Sequence, residues 1–320
     1  MEAEFHRWLR EHLPAHPSLP LGLGDDAAVL ALAGRSNVVV TTDLLSDGVD
    51  FRLADKDLDP QRVGRKALAV NLSDLAAMAA KPLAAVISIA LPRRTGSDAA
   101  LRLAISLYEG LLPLAEEFDV AIAGGDTNTH DGPLVICVTA LGEVTERGPL
   151  TRSAGRPGDK LLVTGKLGGS LLGHHLDFTP RIREALLLHE RYQLHAGMDI
   201  SDGLALDLSR LATESGCGAV IHVDRLPISD AAHELARLES PQLTRIGFPM
   251  NAAKDAMWRA LGDGEDYELL LAAPAAEALL HDQPLECGIT CIGELISENG
   301  LWQQTADGNR QWLAPTGWQH

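Results

Sequence analysis

The sequence has little with which to hold a polyanion directly. Its 27 lysines and arginines stand against 44 aspartates and glutamates, a formal charge of −17 over 320 residues. Nucleic acid and anionic membrane surfaces are met by basic patches, so neither is expected as a partner. Cysteine is scarce as well. Cys137, Cys217, Cys287 and Cys291 form no CxxC pair and share no zinc-type spacing with histidine, which argues against a zinc centre and a disulfide framework. Cys287 and Cys291 are spaced to share a helix face, as buried bystanders. The 12 histidines are scattered and none falls in an HExxH pattern. No stretch approaches the roughly 18 apolar residues of a membrane span, and the opening MEAEFHRWLREHLP is charged and proline-broken rather than signal-like, so the cytoplasm is the expected location. The GxxxxGK[ST] loop and the HRD and DFG sets are also missing, which removes the common phosphoryl-transfer scaffolds.

What is present is a 46% hydrophobic chain, long enough to bury a core in each of two domains. After a helix at 2–13, the pattern predicts strands at 38–42, 84–90, 120–123, 134–141, 160–164, 219–223 and 267–272. Helices are predicted at 59–80, with Asp59 as N-cap and Pro60 at the first position, at 97–118, and at 201–215 closed by Gly216. Alternation of this kind is that of an α/β or α+β protein. The stretch RGPLTRSAGRPGD at 147–159 has no hydrophobic period, and the boundary is placed there, giving domains 1–148 and 149–320. The run Gly165-Lys166-Leu167-Gly168-Gly169-Ser170 reads as a turn into a helix.

Five short motifs put carboxylates where a chain normally avoids them. Gly22-Leu23-Gly24-Asp25-Asp26-Ala27-Ala28 has the letters of a loosened dinucleotide fingerprint, but no strand precedes it and two acids would face the pyrophosphate. Thr41-Thr42-Asp43 follows the apolar Val38–Val40 run, either as a ligand site at a strand end or as a turn. Asn71-Leu72-Ser73-Asp74-Leu75 lies in a helix among Ala67, Val70, Ala77 and Met78, where an unpaired carboxylate would cost several kcal/mol. A salt bridge, a wet helix face or a metal would relieve it. Ala123-Gly124-Gly125-Asp126-Thr127 brings acid and permissive glycines after another short strand. Met198-Asp199-Ile200-Ser201-Asp202-Gly203-Leu204 opens a helix, where Ser201 or Asp202 would cap it or meet a metal–phosphate complex. Together these supply Asp25, Asp26, Asp43, Asp74, Asp126, Asp199 and Asp202. If they converge they require metal, and oxygen-only ligands point to Mg²⁺ bridging carboxylates to the phosphates of a nucleotide.

Taken together, GLGDDAA, TTDLLSDGVDF, KALAVNLSDLAAMAAKP, GGDT, MDISDGL and GDGEDYELL resemble, in order and spacing from Gly22 to Trp318, the motifs of the thiamine-monophosphate kinases. Those enzymes are ATP- and Mg²⁺-dependent members of the aminoimidazole-ribonucleotide-synthetase-like superfamily. NLSDLAAM and DISDGL are specific to that superfamily, and GEDYELL to this kinase. The resemblance implies a two-domain α/β (α+β) PurM-like fold whose N-terminal domain pairs with its copy in a homodimer. It implies that Asp26, Thr41, Thr42, Asp43, Asp74, Asp126, Asp199 and Asp202 are magnesium ligands. Tyr108, Gly125, Asp126, Arg152 and Ser201 would contact ATP, and Asp50, Glu265 and Trp318 thiamine monophosphate. No residue is expected to act as a catalytic acid, base or nucleophile.

Two departures stand out. The family's GVHF reads Gly48-Val49-Asp50-Phe51, and Ser46-Asp47 replaces the more usual Val-Glu, so the contacts to the acceptor differ in detail. Sister enzymes are set apart by cysteine. Selenophosphate synthetases usually carry a reactive cysteine or selenocysteine near the N-terminus, whereas the first cysteine here is Cys137. The hydrogenase-maturation relative ends in cysteine, whereas this sequence ends Trp318-Gln319-His320. A silent binding protein of the same fold would be expected to have lost metal ligands, and none is lost.

Overall fold

The computed structural model describes residues 2–22, 24–34, 36–55, 58–238 and 254–318. Two mixed sheets dominate it. Among the described residues the first has five strands in the order β1-β2-β5-β3-β4. These are β1 (Ala28–Leu30), β2 (Val38–Ser46), β3 (Ala80–Pro92), β4 (Ala121–His130) and β5 (Val135–Val144), with β3 and β4 parallel and the other pairs antiparallel. The second has seven, in the order β12-β11-β8-β10-β6-β9-β7. Its strands are β6 (Lys160–Thr164), β7 (Ala196–Asp199), β8 (Gly218–His222), β9 (Leu269–Ala273), β10 (Ile289–Ile296), β11 (Leu301–Gln304) and β12 (Arg310–Trp312).

Helix α1 (Glu2–His12) precedes the first sheet, and α2 (Pro60–Ala77) and α3 (Ser97–Glu117) cover one face of it. Asp59 caps α2 by accepting from the Gln61 amide at 3.0 Å, and Pro60 occupies the first position, where its missing N–H is no loss. The helix stops at Ala77 rather than 80 because Ala79 turns left-handed, φ +49°, and feeds straight into β3. Leu68, Leu72 and Leu75 are completely buried, each stabilising the packing by about 1.5–3 kcal/mol. A Cβ on Gly64 would lie 1.8 Å from the Leu107 carbonyl oxygen, and one on Gly110 would lie 1.8 Å from that of Gln61. The two glycines therefore set how closely α2 and α3 cross. On its other side α2 meets α4 (His174–Asp177), α5 (Ile182–Arg191) and β7, so one buried helix is wedged between the two sheets.

A separate apolar cluster joins the seven-stranded sheet to α6 (Leu204–Glu214), through Met198, Ile200, Leu204, Leu208, Leu211, Ala219 and Ile221. The helix predicted from 201 begins at Leu204, and neither Ser201 nor Asp202 caps it. Asp207, inside the first turn, accepts from the amides of Asp202 and Gly203 at 3.0 and 3.1 Å, which leaves 200–203 as a loop.

Two motifs expected after strands lie within them, since β2 runs through Thr41-Thr42-Asp43 and β4 through Gly124-Gly125-Asp126. The strand predicted from Tyr267 starts at Leu269, because Glu265 and Tyr267 both have positive φ, +57° and +51°. Cys291 lies in β10 and Cys287 just before it, so they share no helix. No helix among the described residues is long and apolar enough to cross a membrane.

Candidate active site

A helix repeats its faces every three to four residues, so Lys66 and Ser73 of α2, seven apart, share one face, and Asp74 lies about 100° round from Ser73. Asp74 accepts from the Thr41 hydroxyl of β2. Ser73 donates to Asp199 of β7 at 2.5 Å, which ties the helix to the second sheet. Asp26, from the loop before β1, completes the group: single oxygens of Asp26, Asp74 and Asp199 all lie within 4.8 Å of one another. Asp43 shares the inward face of β2 with Thr41, two residues away, and contacts Asp74.

Unit charges at such a separation repel by about 3.5 kcal/mol or more per pair at an effective dielectric of about 20. The titration of the cluster carries that load. Burial, then the charges of Asp43, Asp199 and Asp26, push the Asp74 carboxyl well above the usual range. Burial followed by Asp26 does the same to Asp199. Burial lifts Asp43 to about 6, with Asp50 adding to the rise and the bond to Asp74 opposing it. Asp25 also rises to about 6, through burial and then Asp26.

Arg152 supplies positive charge, chelating Asp26 through Nη2 and through Nε at 3.0 Å, while its backbone amide donates to Asp25 at 3.1 Å. Asp74 and Asp199 receive hydroxyl bonds instead. An all-oxygen, half-screened carboxylate set of this kind fits a hard divalent cation such as Mg²⁺.

The second half of the site is built on the loops flanking Asp202 and Glu265. Glu265 donates its amide to the Ser201 carbonyl at 2.6 Å, and Trp318 donates its amide to the Asp202 carbonyl at 2.8 Å. The Asp202 carboxylate pairs with Arg210 at 2.5 Å. Asp50 carries its charge close to both Asp43 and Glu265. Its carboxylate accepts from the Ser46 amide at 2.7 Å, so the acid that replaces the family histidine braces its own loop. Trp318 is 52% exposed beside these groups. The structure thus brings together Asp26, Thr41, Asp43, Asp74, Asp199 and Arg152 at one end, and Asp50, Ser201, Asp202, Glu265 and Trp318 at the other.

Four expected residues lie elsewhere on the single chain. Thr42 faces away from Thr41 and bonds Thr139 of β5 at 3.0 Å. Strand register aligns Asp126 with Ser88, Cys137 and Leu44, a row on the face of the first sheet opposite α2, and Gly125 precedes it on the exposed edge strand. Tyr108 lies on α3, where it lines a shallow apolar depression with Ala104, Ile105, Glu109 and Leu112. Lys66, Ser73 and Asp207 were not singled out from the sequence. The signal that would have found the first two is their spacing of eight and one residues from Asp74 on a helix otherwise buried in apolar contacts.

Family models for the AIR synthase related protein cover both halves of the chain, the N-terminal domain over residues 24–144 and the C-terminal domain over 156–301. The thiamine-monophosphate kinase of Rhodopirellula baltica is 38% identical over 328 residues, covering all of this chain and 97% of that protein. The chain belongs to the thiamine-monophosphate kinases. The kinase of Escherichia coli K12 is 34% identical over 302 residues, 87% of this chain and 85% of the relative. Among solved structures, the complex of AaThiL with AMPPCP and TMP superposes with a TM-score of 0.79 at 27% identity, covering 100% of this chain and 96% of that one. The hydrogenase-maturation protein HypE, in its complex with HypF, reaches a TM-score of 0.71 at 17% identity, a likeness of fold alone. The thiamine-monophosphate kinases therefore share this fold with a hydrogenase-maturation protein.

Proposed function

We propose that this chain transfers the γ-phosphoryl group of ATP to thiamine monophosphate, giving thiamine diphosphate and ADP, as the last step of thiamine diphosphate synthesis in the cytoplasm. The observation that carries the reading is the convergence of Asp26, Asp74 and Asp199 from a loop, a helix and a strand onto one point. The acceptor oxygen belongs to a phosphate whose second pKa is about 6, so it is already largely anionic at pH 7 and needs no general base. The obstacle is repulsion between acceptor and triphosphate, and the chain's own residues meet it by positioning.

Asp26, Thr41, Thr42, Asp43, Asp74, Asp126, Asp199 and Asp202 would hold magnesium, and Tyr108, Gly125, Asp126, Arg152 and Ser201 would hold ATP. Magnesium supplies the positive charge that offsets repulsion among the phosphate oxygens. Arg152 holds the Asp26 carboxylate in a fixed bidentate orientation, and Ser73 does the same for Asp199 with a single bond. Asp50, Glu265 and Trp318 would bind the acceptor, with Trp318 stacked on its cationic thiazolium, an interaction of roughly 0.5–2 kcal/mol.

The face of the first sheet opposite α2 leaves Leu44 and Val86 exposed, which supports a homodimer formed through it. Thr42 and Asp126 lie on that face, so the partner would complete their surroundings. The two domains divide at 148/149 in this reading.

The test is incubation of the purified protein with thiamine monophosphate, ATP and Mg²⁺, with thiamine diphosphate followed as its fluorescent thiochrome derivative. Product that disappears with EDTA is the expected result. Tight Mg-ATP binding with no product would overturn the assignment of the acceptor.

A further inference from the structure

Lys66 is a lysine with no access to solvent, in the middle of a helix whose neighbouring positions Ala67, Leu68 and Ala69 are all buried. Burying an ammonium is costly unless it is paired and fully hydrogen-bonded, and this one is. Its Nζ donates to Glu265 Oε1 at 2.8 Å, to Glu265 Oε2 at 2.7 Å and to the backbone carbonyl of Asp50 at 3.1 Å. Those three bonds match the three donors of an ammonium group.

The partners are informative. Glu265 stands on the loop before β9, in the half of the chain that carries the second sheet, and Asp50 on the loop after β2. They are two of the three positions proposed above to bind the acceptor. Glu265 is held in a left-handed backbone conformation that disfavours a side chain, with its amide on Ser201, and a residue kept in such a region needs surroundings that over-determine it. Gly48, φ +95°, and the Asp50 bond to the Ser46 amide shape the 46–51 loop, but neither fixes that loop against Glu265. Lys66 does.

From the proposed acceptor site we infer that Lys66 is a positioning residue for specificity: it aligns the Glu265 carboxylate and the 46–51 loop to receive the thiazolium end of thiamine monophosphate, and it has no part in holding ATP. The helix makes the division of labour physical. Lys66 and Ser73 are seven residues apart, about 10 Å along α2, so one rigid element registers the acceptor end through Lys66 and the carboxylate cluster through Ser73. Glu265 keeps a quarter of its side chain exposed after pairing, so it remains accessible to a bound molecule. The inference rests on the kinase reading.

The experiment measures steady-state KM for thiamine monophosphate and for ATP in the wild type, Lys66→Arg, Lys66→Met and the double variant Lys66→Met/Glu265→Gln, with thermal midpoints for all four. A rise of tenfold or more in KM for thiamine monophosphate in Lys66→Met, with KM for ATP within twofold of wild type, is expected. Lys66→Arg should recover part of the loss. The double variant, having no unpaired buried charge, should regain the thermal midpoint; because it also lacks the Glu265 carboxylate, the selective rise in KM is read from Lys66→Met and its partial recovery from Lys66→Arg, which a merely structural pin would not give.

Equal rises in both KM values, or a KM for thiamine monophosphate in Lys66→Met within twofold of wild type, would overturn the role of Lys66 while leaving the kinase reading intact. A wild type that neither binds nor phosphorylates thiamine monophosphate would overturn both.

Discussion

Ser73 Oγ of α2 lies 2.5 Å from Asp199 Oδ2 of β7, a buried hydroxyl–carboxylate bond joining the helix on the first sheet to the edge strand of the second. Removing the hydroxyl leaves Asp199 without that donor. Ser73→Ala should lose about 1–3 kcal/mol of stability. It should also raise the Mg²⁺ concentration needed for half-maximal turnover, by roughly 10- to 100-fold if the bond orients a metal ligand. Denaturant unfolding and a magnesium titration of activity check the two parts.

Asp74→Asn makes an opposite pair of effects. It removes a carboxyl whose ionisation burial and its acidic neighbours oppose, so the metal-free protein should become more stable. Turnover should fall by about 10²–10³-fold, as when one preorganised charge contact is lost. Thermal unfolding in EDTA beside an activity assay in Mg²⁺ measures both, and unchanged activity with unchanged magnesium dependence would remove Asp74 from the proposed ligand set.

Stability without metal should depend on pH in a definite sense. Burial raises Asp207 to about 7 and Asp266 to about 8, the latter only partly offset by bonds from Ser170 and the Gly168 amide. A carboxyl whose folded pKa is raised contributes stability that is full below its unfolded pKa and is lost as pH rises through the folded value. His175, pushed down to about 4 by burial, works in the other direction below its unfolded pKa of about 6.5, so the clean window is pH 6.5 to 8. The thermal midpoint in EDTA should fall across that window. Millimolar Mg²⁺ should raise it, and by more at pH 8 than at pH 6.5, since only ionised carboxylates bind the ion. Midpoints that rise with pH in EDTA would contradict this account of the buried acids.

Trp318 is half exposed and anchored by its backbone amide to Asp202. Trp318→Ala should raise KM for thiamine monophosphate by roughly 2- to 30-fold, the equivalent of 0.5–2 kcal/mol. KM for ATP and the thermal midpoint should change little.

The site's chemistry could be read in the sequence because acids sat beside glycine, small or apolar residues in five places, a pattern that solvent-facing aspartates rarely make. Its geometry could not. Thr41 and Thr42 are chemically alike, and only the alternation of β2, once its register with β5 is known, sends one to Asp74 and the other to Thr139. Asp126 was grouped with the other acids by composition, yet register puts it on the opposite face of the sheet. Ser73 and Lys66 stand in the motifs around Asp74 without a readable role, because their partners, Asp199 and Glu265, are 126 and 199 residues away. Element ends shifted for local reasons: Ala79 and Tyr267 take positive φ, and Asp207 binds the amides of Asp202 and Gly203, which holds those residues outside the helix.

The central claim is that carboxylates from both halves of the chain share divalent ions at one nucleotide-dependent site. Its most direct test is a titration with Mn²⁺ in place of Mg²⁺, read by the electron paramagnetic resonance of the free ion, with a non-hydrolysable ATP analogue present, for the wild type, Asp74→Asn and Asp199→Asn. The account predicts ion binding that strengthens when the nucleotide is present, and loss of at least one tight ion in each variant. Identical titrations for all three proteins would contradict it.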